Sequence, residues 1–300
     1  MPEHVPVMSA EVVRALAPGR GGLFVDCTLG LGGHAAAVLE AGAGRLIGID
    51  RDGDALAIAG ERLARWGGRV ELVHADYREL DRVLDARAVA EADGILADLG
   101  VSSLQFDGEG RGFSFQRDEP LDMRMDRSGG PTAADLIADL PEEDLAGAIY
   151  RFGEERYSRR IARAIVEARQ AAPVETTGQL AAIVRRAVPR KGYSPIHPAT
   201  RTFQALRIAV NRELEGLDEF IGVACRRLAP GGRLVVLAFH SLEDRVVKHT
   251  LRGLAGGDAP EFRLLSRRAL RPGDDEVAAN PRARSAKLRA IERVVPGRVC

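Results

Sequence analysis

Four aspartates each close a short apolar run in the first hundred residues: Asp26, Asp50, Asp76 and Asp98. A carboxylate at such a place accepts hydrogen bonds from a sugar hydroxyl pair, from an amine, or from the backbone N–H groups of the next helix. Between the first two lies Gly30-Leu31-Gly32-Gly33-His34. Glycines there allow positive φ and a close approach of backbone to a ligand. Gly30-x-Gly32-x-x-Ala35, with Asp50 twenty residues after Gly30, also fits the dinucleotide fingerprint, so the turn alone leaves the ligand open. Tyr77 follows the third acid, and His240 ends a later apolar run, where either could face a ligand.

These side chains need a scaffold. Residues 23–26 and 45–50 read as two strands around a glycine turn and a helix over 35–41, one βαβ unit. A short helix precedes them at 9–16, with Ser9-Ala10-Glu11 as its cap region. A helix follows Arg51-Asp52-Gly53-Asp54 to about 65. Residues 70–76 form a third strand and 92–99 a fourth. In open α/β sheets, ligands collect where strands end, and all four acids fall there.

The alternation then stops. Residues 101–131 read as a loop rich in Gly, Asp and Arg, and 132–198 carry helical patterns at about 141–150, 156–169 and 177–187. Helices between strands of one sheet read as an inserted subdomain. One long helix, about 199–228, returns to a fifth strand at 233–239. A helix at 242–254 follows, then two late strands at 262–270 and 288–295 joined by a basic loop. The expected division is 1–104, 105–205 and 206–300: a sheet domain, a basic helical insertion, and the rest of the sheet domain.

The net charge is zero, from 43 Lys+Arg and 43 Asp+Glu. Residues 1–150 carry 14 basic and 27 acidic side chains, residues 151–212 carry 13 and 4, and residues 263–300 carry 10 and 4. Two basic regions on a neutral chain suit a polyanion or a solvated helix face. Three widely spaced cysteines, Cys27, Cys225 and Cys300, make neither a disulfide framework nor a zinc pattern, and no metal is expected. With no signal-peptide pattern and no apolar stretch of about eighteen residues, a cytoplasmic protein without a membrane partner is expected.

A set of longer motifs narrows the reading: His4-Val5-Pro6-Val7, Gly32-Gly33-His34, Asp98-Leu99-Gly100-Val101-Ser102-Ser103, Arg111-Gly112-Phe113-Ser114-Phe115 and Pro120-Leu121-Asp122-Met123-Arg124-Met125-Asp126. Gly153-Glu154-Glu155-Arg156, the run His197-Pro198-Ala199-Thr200-Arg201-Thr202-Phe203, Phe239-His240-Ser241-Leu242-Glu243, and Asn280-Pro281-Arg282-Ala283-Arg284-Ser285 continue it. Together, and in order along nearly the whole chain, they resemble the bacterial ribosomal small-subunit RNA (cytosine-N4-)-methyltransferase family, RsmH or MraW. The arrangement of strands also resembles the class I S-adenosylmethionine-dependent methyltransferase fold, a Rossmann-like α/β sheet with an inserted helical subdomain.

The resemblance implies methylation of the exocyclic N4 of a cytosine in the decoding (P-site) region of 16S ribosomal RNA. S-adenosyl-L-methionine would be the cofactor, and small-subunit RNA or the small ribosomal subunit the partner. Cofactor contacts carry over to Gly32, Gly33, His34, Asp50, Tyr77, Asp98 and Gln105, although Leu104 stands where the family more often has proline. Asp98 and His240 are the catalytic candidates. Asp98 would accept an N4 hydrogen, the Leu99 or Gly100 carbonyl would serve as second acceptor, and His240 would contact the base. Phe113, Phe115 or Tyr193 could stack that base, which must leave its helix first, and His4 could fold over the site.

Arg159, Arg160, Arg163, Arg186, Lys191, Arg201, Arg282 and Arg284 are the expected phosphate contacts, with Arg156, Arg185, Arg190, Lys287 and Arg289 beside them. A homodimer stays open. Cys27, read as lying inside the first strand, is expected to be buried filler, and His74 structural. A C5-methylating mechanism fits poorly, because it needs a cysteine nucleophile. The alternatives are a nicotinamide-dependent oxidoreductase, which has no use for the basic regions, and a non-catalytic RNA-binding assembly protein, which makes the four strand-end acids coincidental.

Overall fold

The computed structural model describes residues 6–189, 197–256 and 260–295, the side chains of Ser103 and Asp107 apart. His4, Arg190, Lys191 and Tyr193 lie outside the described residues. In chain order the elements are α1 (Ser9–Leu16), β1 (Leu23–Asp26), α2 (Gly33–Glu40), β2 (Arg45–Asp50), α3 (Gly53–Leu63), β3 (Val70–His74), α4 (Leu80–Asp85) and β4 (Ala92–Asp98). Next come α5 (Ser103–Asp107), α6 (Ala133–Asp139), α7 (Glu142–Gly153), α8 (Ser158–Ala171), α9 (Thr177–Ala187) and α10 (Thr200–Asn211). The last are α11 (Leu217–Arg226), β5 (Leu228–Ala238), α12 (Ser241–Leu254), β6 (Phe262–Leu264), α13 (Asp274–Ala279) and β7 (Lys287–Arg293). The chain forms two compact units, residues 1–100 with 216–300, and residues 101–215.

The first unit holds one seven-stranded sheet in the order β3-β2-β1-β4-β5-β7-β6. β1 to β5 run parallel, and β7 is antiparallel to both β5 and β6. Neighbouring residues in a strand enter different cores: Val25, Ile47 and Ile95 on one face, Phe24, Leu46 and Leu96 on the other. A sheet covered on both faces favours apolar side chains on both, which is why the central stretches of these strands read as apolar runs rather than alternating ones. Strand order reverses between β1 and β4, so a crevice opens at their carboxyl ends. This is the class I methyltransferase sheet that the sequence implied.

The second unit is helical. α6 to α10 pack around Met123, Ile137, Leu145, Ile149, Ile161, Leu180 and Phe203. Capping boxes start two of them, Thr132 with Asp135 on α6 and Thr176 with Gln179 on α9. Asn211 pins the preceding loop, donating to the Met123 carbonyl (2.7 Å) and accepting from the Met125 N–H (2.8 Å).

Several expectations change. The single helix over 199–228 is two helices: Arg212 takes φ +52° and ends α10, and Gly216 at φ +65° starts α11. Residues 101–131 contain α5 within the expected loop. The late strand at 262–270 is three residues long, with one isolated bridge between Leu270 and Leu288. The basic loop after it carries the acidic α13 and a turn of 3₁₀ helix, Pro281–Ser285, capped by Asn280. Ser9 does not cap α1, whose N-cap is Met8 in the left-handed region. Cys27 stands one residue past β1, where its N–H continues the ladder to the Leu96 carbonyl at 2.8 Å.

Candidate functional site

The turn after β1 is built from backbone that only glycine adopts without strain. Gly30 and Gly32 sit at φ +52° and +75°, and Gly32 is the N-cap of α2. Asp50, at the end of β2, holds the turn: its Oδ2 accepts from the Gly30 N–H (2.6 Å) and its Oδ1 from the Asp52 N–H (2.8 Å). Each oxygen keeps capacity for another hydrogen. Burial raises the Asp50 carboxyl above its ordinary range, against those two backbone donors. Asp52 in turn caps α3 through the Asp54 and Ala55 N–H groups.

The chemistry concentrates where β1, β4 and the start of α2 meet. Asp26 is 2 % exposed and His34 6 %. His34 Nε2 lies 3.4 Å from Asp98 Oδ2, and the Asp98 side chain is 26 % exposed. Thr28 bridges the strand ends, its N–H donating to Asp26 Oδ1 (3.2 Å) and its Oγ1 accepting from the Asp98 N–H (2.6 Å). Among the described residues, Asp26 Oδ2, Asp98 Oδ1 and both His34 ring nitrogens are buried with no hydrogen-bond partner of good geometry. Burial pushes the Asp26 carboxyl up to about 7, offset in part by His34. The His34 imidazole is raised despite its burial, because Asp98 and Asp26 stand beside it.

The end of β3 is satisfied instead. Asp76 caps the next turn through the Arg78 N–H (3.0 Å), accepts from Arg78 Nε and an Nη (2.7 Å each), and meets Arg51 at 3.5 Å. Burial would raise its carboxyl, but the Arg78 hydrogen bonds and Arg51 hold it below the ordinary range. Tyr77 is buried edge-to-face on Phe220, ring centroids 4.7 Å apart. His74 is exposed, its Nε2 2.9 Å from the Arg51 carbonyl, the structural place expected for it.

His240 is the N-cap of α12. Its Nδ1 accepts from the Glu243 N–H at 3.3 Å, its Nε2 lies 3.1 Å from Glu243 Oε1, and the Glu243 carboxylate accepts the Phe239 N–H (3.0 Å). Both ring nitrogens therefore face Glu243, and the ring fixes the exit of β5. Gln105, in the helical unit, is buried and closes a capping box with Ser102.

The expected phosphate contacts divide. Arg159 and Arg160 on α8 and Arg186 on α9 are exposed, as are Arg282 and Arg284 in the 3₁₀ turn. Arg163 is exposed with Glu142 at 3.6 Å, and Arg201 is exposed and reaches the Glu154 carbonyl. Lys287 and Arg289, expected to hold phosphates, both bind Asp244 (2.9 and 2.7 Å). They are two apart on β7 and so share a face, a signal that strand periodicity carries. Phe113 is buried, whereas Phe115 packs on His197 and Phe203. Nothing in the spacing marked Asp26 and Asp98 apart from Asp50 and Asp76; among the described residues, a buried oxygen without a partner on each does.

The family model of the MraW methylase family matches residues 1–294. The chain belongs to this family. It is 54 % identical to the ribosomal RNA small subunit methyltransferase H of Azorhizobium caulinodans, over 97 % of this chain and 87 % of that protein. The protein of the same name from Sorangium cellulosum is also 54 % identical, covered to 91 %. That from Geobacter sp. strain M21 is 48 % identical, covered to 98 %.

The residues present fit the family's cofactor. S-adenosyl-L-methionine carries a sulfonium, an ammonium and one carboxylate, and strand ends with three carboxyl groups, Asp26, Asp50 and Asp98, against one imidazole favour its net positive charge. Asp50 has capacity left for hydroxyl donors, and the N-terminal turn of α2 gives close backbone approach. Among the described residues, no helix is long and apolar enough to cross a membrane.

Proposed function

We propose that this methyltransferase methylates the exocyclic N4 of a cytosine in the decoding (P-site) region of small-subunit ribosomal RNA. The observation that carries the reading is Asp98, a half-buried carboxylate at the strand-order reversal with one oxygen unpartnered among the described residues, in a chain whose relatives are named as small-subunit ribosomal RNA methyltransferases.

When bound, the cofactor supplies a methyl group activated by its sulfonium sulfur. The chain's own residues do the rest. Asp50 and the glycine turn orient the donor. Asp98 accepts an N4 hydrogen, which localises the nitrogen lone pair for attack, and positioning supplies much of the rate. His240 fixes the strand exit by capping α12.

Among the described residues no cysteine is placed to attack a ring carbon. Cys27 and Cys225 are buried, burial pushes the Cys225 thiol up to about 12, and the Cys27 thiol is raised as well. Neither is a thiolate nucleophile. The exposed arginines of α8 and α9 would hold RNA phosphates.

The test is transfer of labelled methyl groups from S-adenosylmethionine to small ribosomal subunits from cells lacking this activity. Label in small-subunit RNA and none in large-subunit RNA is expected. No label, with RNA still bound, would favour the non-catalytic RNA-binding alternative.

A further inference from the structure

We propose that the His34 imidazole, backed by Asp26, is a positioning residue for Asp98, holding its carboxylate in the orientation and charge state that receives the proton released from the methylated nitrogen. The inference rests on the reading above and adds, for His34 and Asp26, a role in proton acceptance beside cofactor binding.

The geometry is specific. His34 enters α2 one residue after its first, so its backbone lies at the glycine turn while its ring points to the end of β4. Nε2 stands 3.4 Å from Asp98 Oδ2, in a place almost closed to water. A buried imidazole without good hydrogen bonds costs free energy, and the charged groups that act on the ring are acidic. Asp98 comes from β4, Asp26 from β1 and Glu276 from α13, and Asp50 at the end of β2 lies close enough to act on Asp26. Of these, Glu276 is engaged by the Met8 N–H at 2.6 Å, and Asp50 by two N–H groups. Asp26 Oδ2 and Asp98 Oδ1 have none among the described residues. The ring therefore meets Asp98 directly and feels Asp26 electrostatically, each acid keeping one buried oxygen without a hydrogen-bond partner among the described residues.

The proton balance gives that partner a purpose. Once N4 has gained the methyl group it carries one proton too many. The N–H bond breaks, its electron pair stays on nitrogen, and the proton joins the Asp98 carboxylate. A neighbouring imidazole that donates through Nε2 holds the empty carboxylate in place before the step. Asp26 in turn steadies the positive charge on the ring.

The experiment has two arms. Without any methyl transfer, nitrogen-15 histidine NMR of the full chain follows the His34 ring. It should titrate above the ordinary histidine value near 6.5, and fall toward it in Asp98→Asn and Asp26→Asn. In single-turnover methyl transfer at saturating S-adenosylmethionine, with saturation set for each variant by calorimetry, His34→Ala should lower the rate roughly 10- to 100-fold. His34→Gln, whose amide can donate in place of Nε2, should recover part of that loss. Titration indifferent to both aspartates, or a His34→Ala defect lying wholly in cofactor affinity, would overturn the inference. If the wild-type protein transfers no methyl group to RNA, the functional reading fails instead, and the NMR arm still reports on the pairing.

Discussion

Asp76 and the pair Asp26–Asp98 are the same residue type at the same kind of place, the carboxyl end of a parallel strand, and their surroundings differ completely. Asp76, beyond the edge strand β3, is tied to Arg78, Arg51 and a turn of backbone, and is held below the ordinary carboxylate range. Asp26 and Asp98, where strand order reverses, each keep one buried oxygen without a partner among the described residues, and Asp26 is pushed up to about 7. A protein can satisfy a strand-end acid with two arginines when it needs only a stable loop. Leaving two acids uncompensated costs stability, and such sites are where chemistry is done.

The sharpest way to break this comparison is Asp98→Ala. Methyl transfer should fall by about 10²–10⁴-fold, the span of a lost proton acceptor, with RNA binding by filter retention unchanged. Next in size is Asp26→Asn, and its effect is a gain. The Asp26 carboxyl is raised when folded, from 3.8 to about 7. Its favourable contribution is therefore complete below the unfolded value and lost as pH rises through the folded one. At pH 8 the wild type carries the cost of a buried carboxylate. Asn avoids it, so urea unfolding should show a gain of about 2–4 kcal/mol, shrinking toward pH 5.

Asp76→Asn should do the reverse. Its lowered carboxyl stabilises above the unfolded value, and that share is lost as pH falls through the lowered folded value. A loss of about 1–2 kcal/mol at pH 7, vanishing on acidification, is the expected unfolding result. The smallest effect is the double change Arg159→Gln and Arg160→Gln. Stability should stay within about 0.5 kcal/mol, while the slope of RNA affinity against salt falls by roughly 1.4.

Much of this was legible in the sequence. Because both faces of the sheet are covered, β1, β2 and β4 each carry an apolar stretch without strict alternation, Leu23–Val25, Leu46–Ile49 and Ile95–Ala97, and each stops at an aspartate. The glycine turn was legible too, since Gly30 and Gly32 must take positive φ. The break between α10 and α11 was hidden, because helical periodicity continues through Arg212 and only a left-handed residue interrupts it. α13 was hidden by counting charge over a window, which averaged Asp274, Asp275 and Glu276 into surrounding arginines. The pairing of His34 with Asp98 joins residues 64 positions apart (98 − 34). No local pattern carries it; it exists only once β1 and β4 lie side by side.

The measurement that tests the central claim most directly is nucleoside analysis by mass spectrometry of small-subunit RNA methylated by the purified protein. N4-methylcytidine at one position in the decoding region is the predicted result, consistent with an amine made nucleophilic beside Asp98. A methyl group on ring carbon, on ribose or on another base would contradict it.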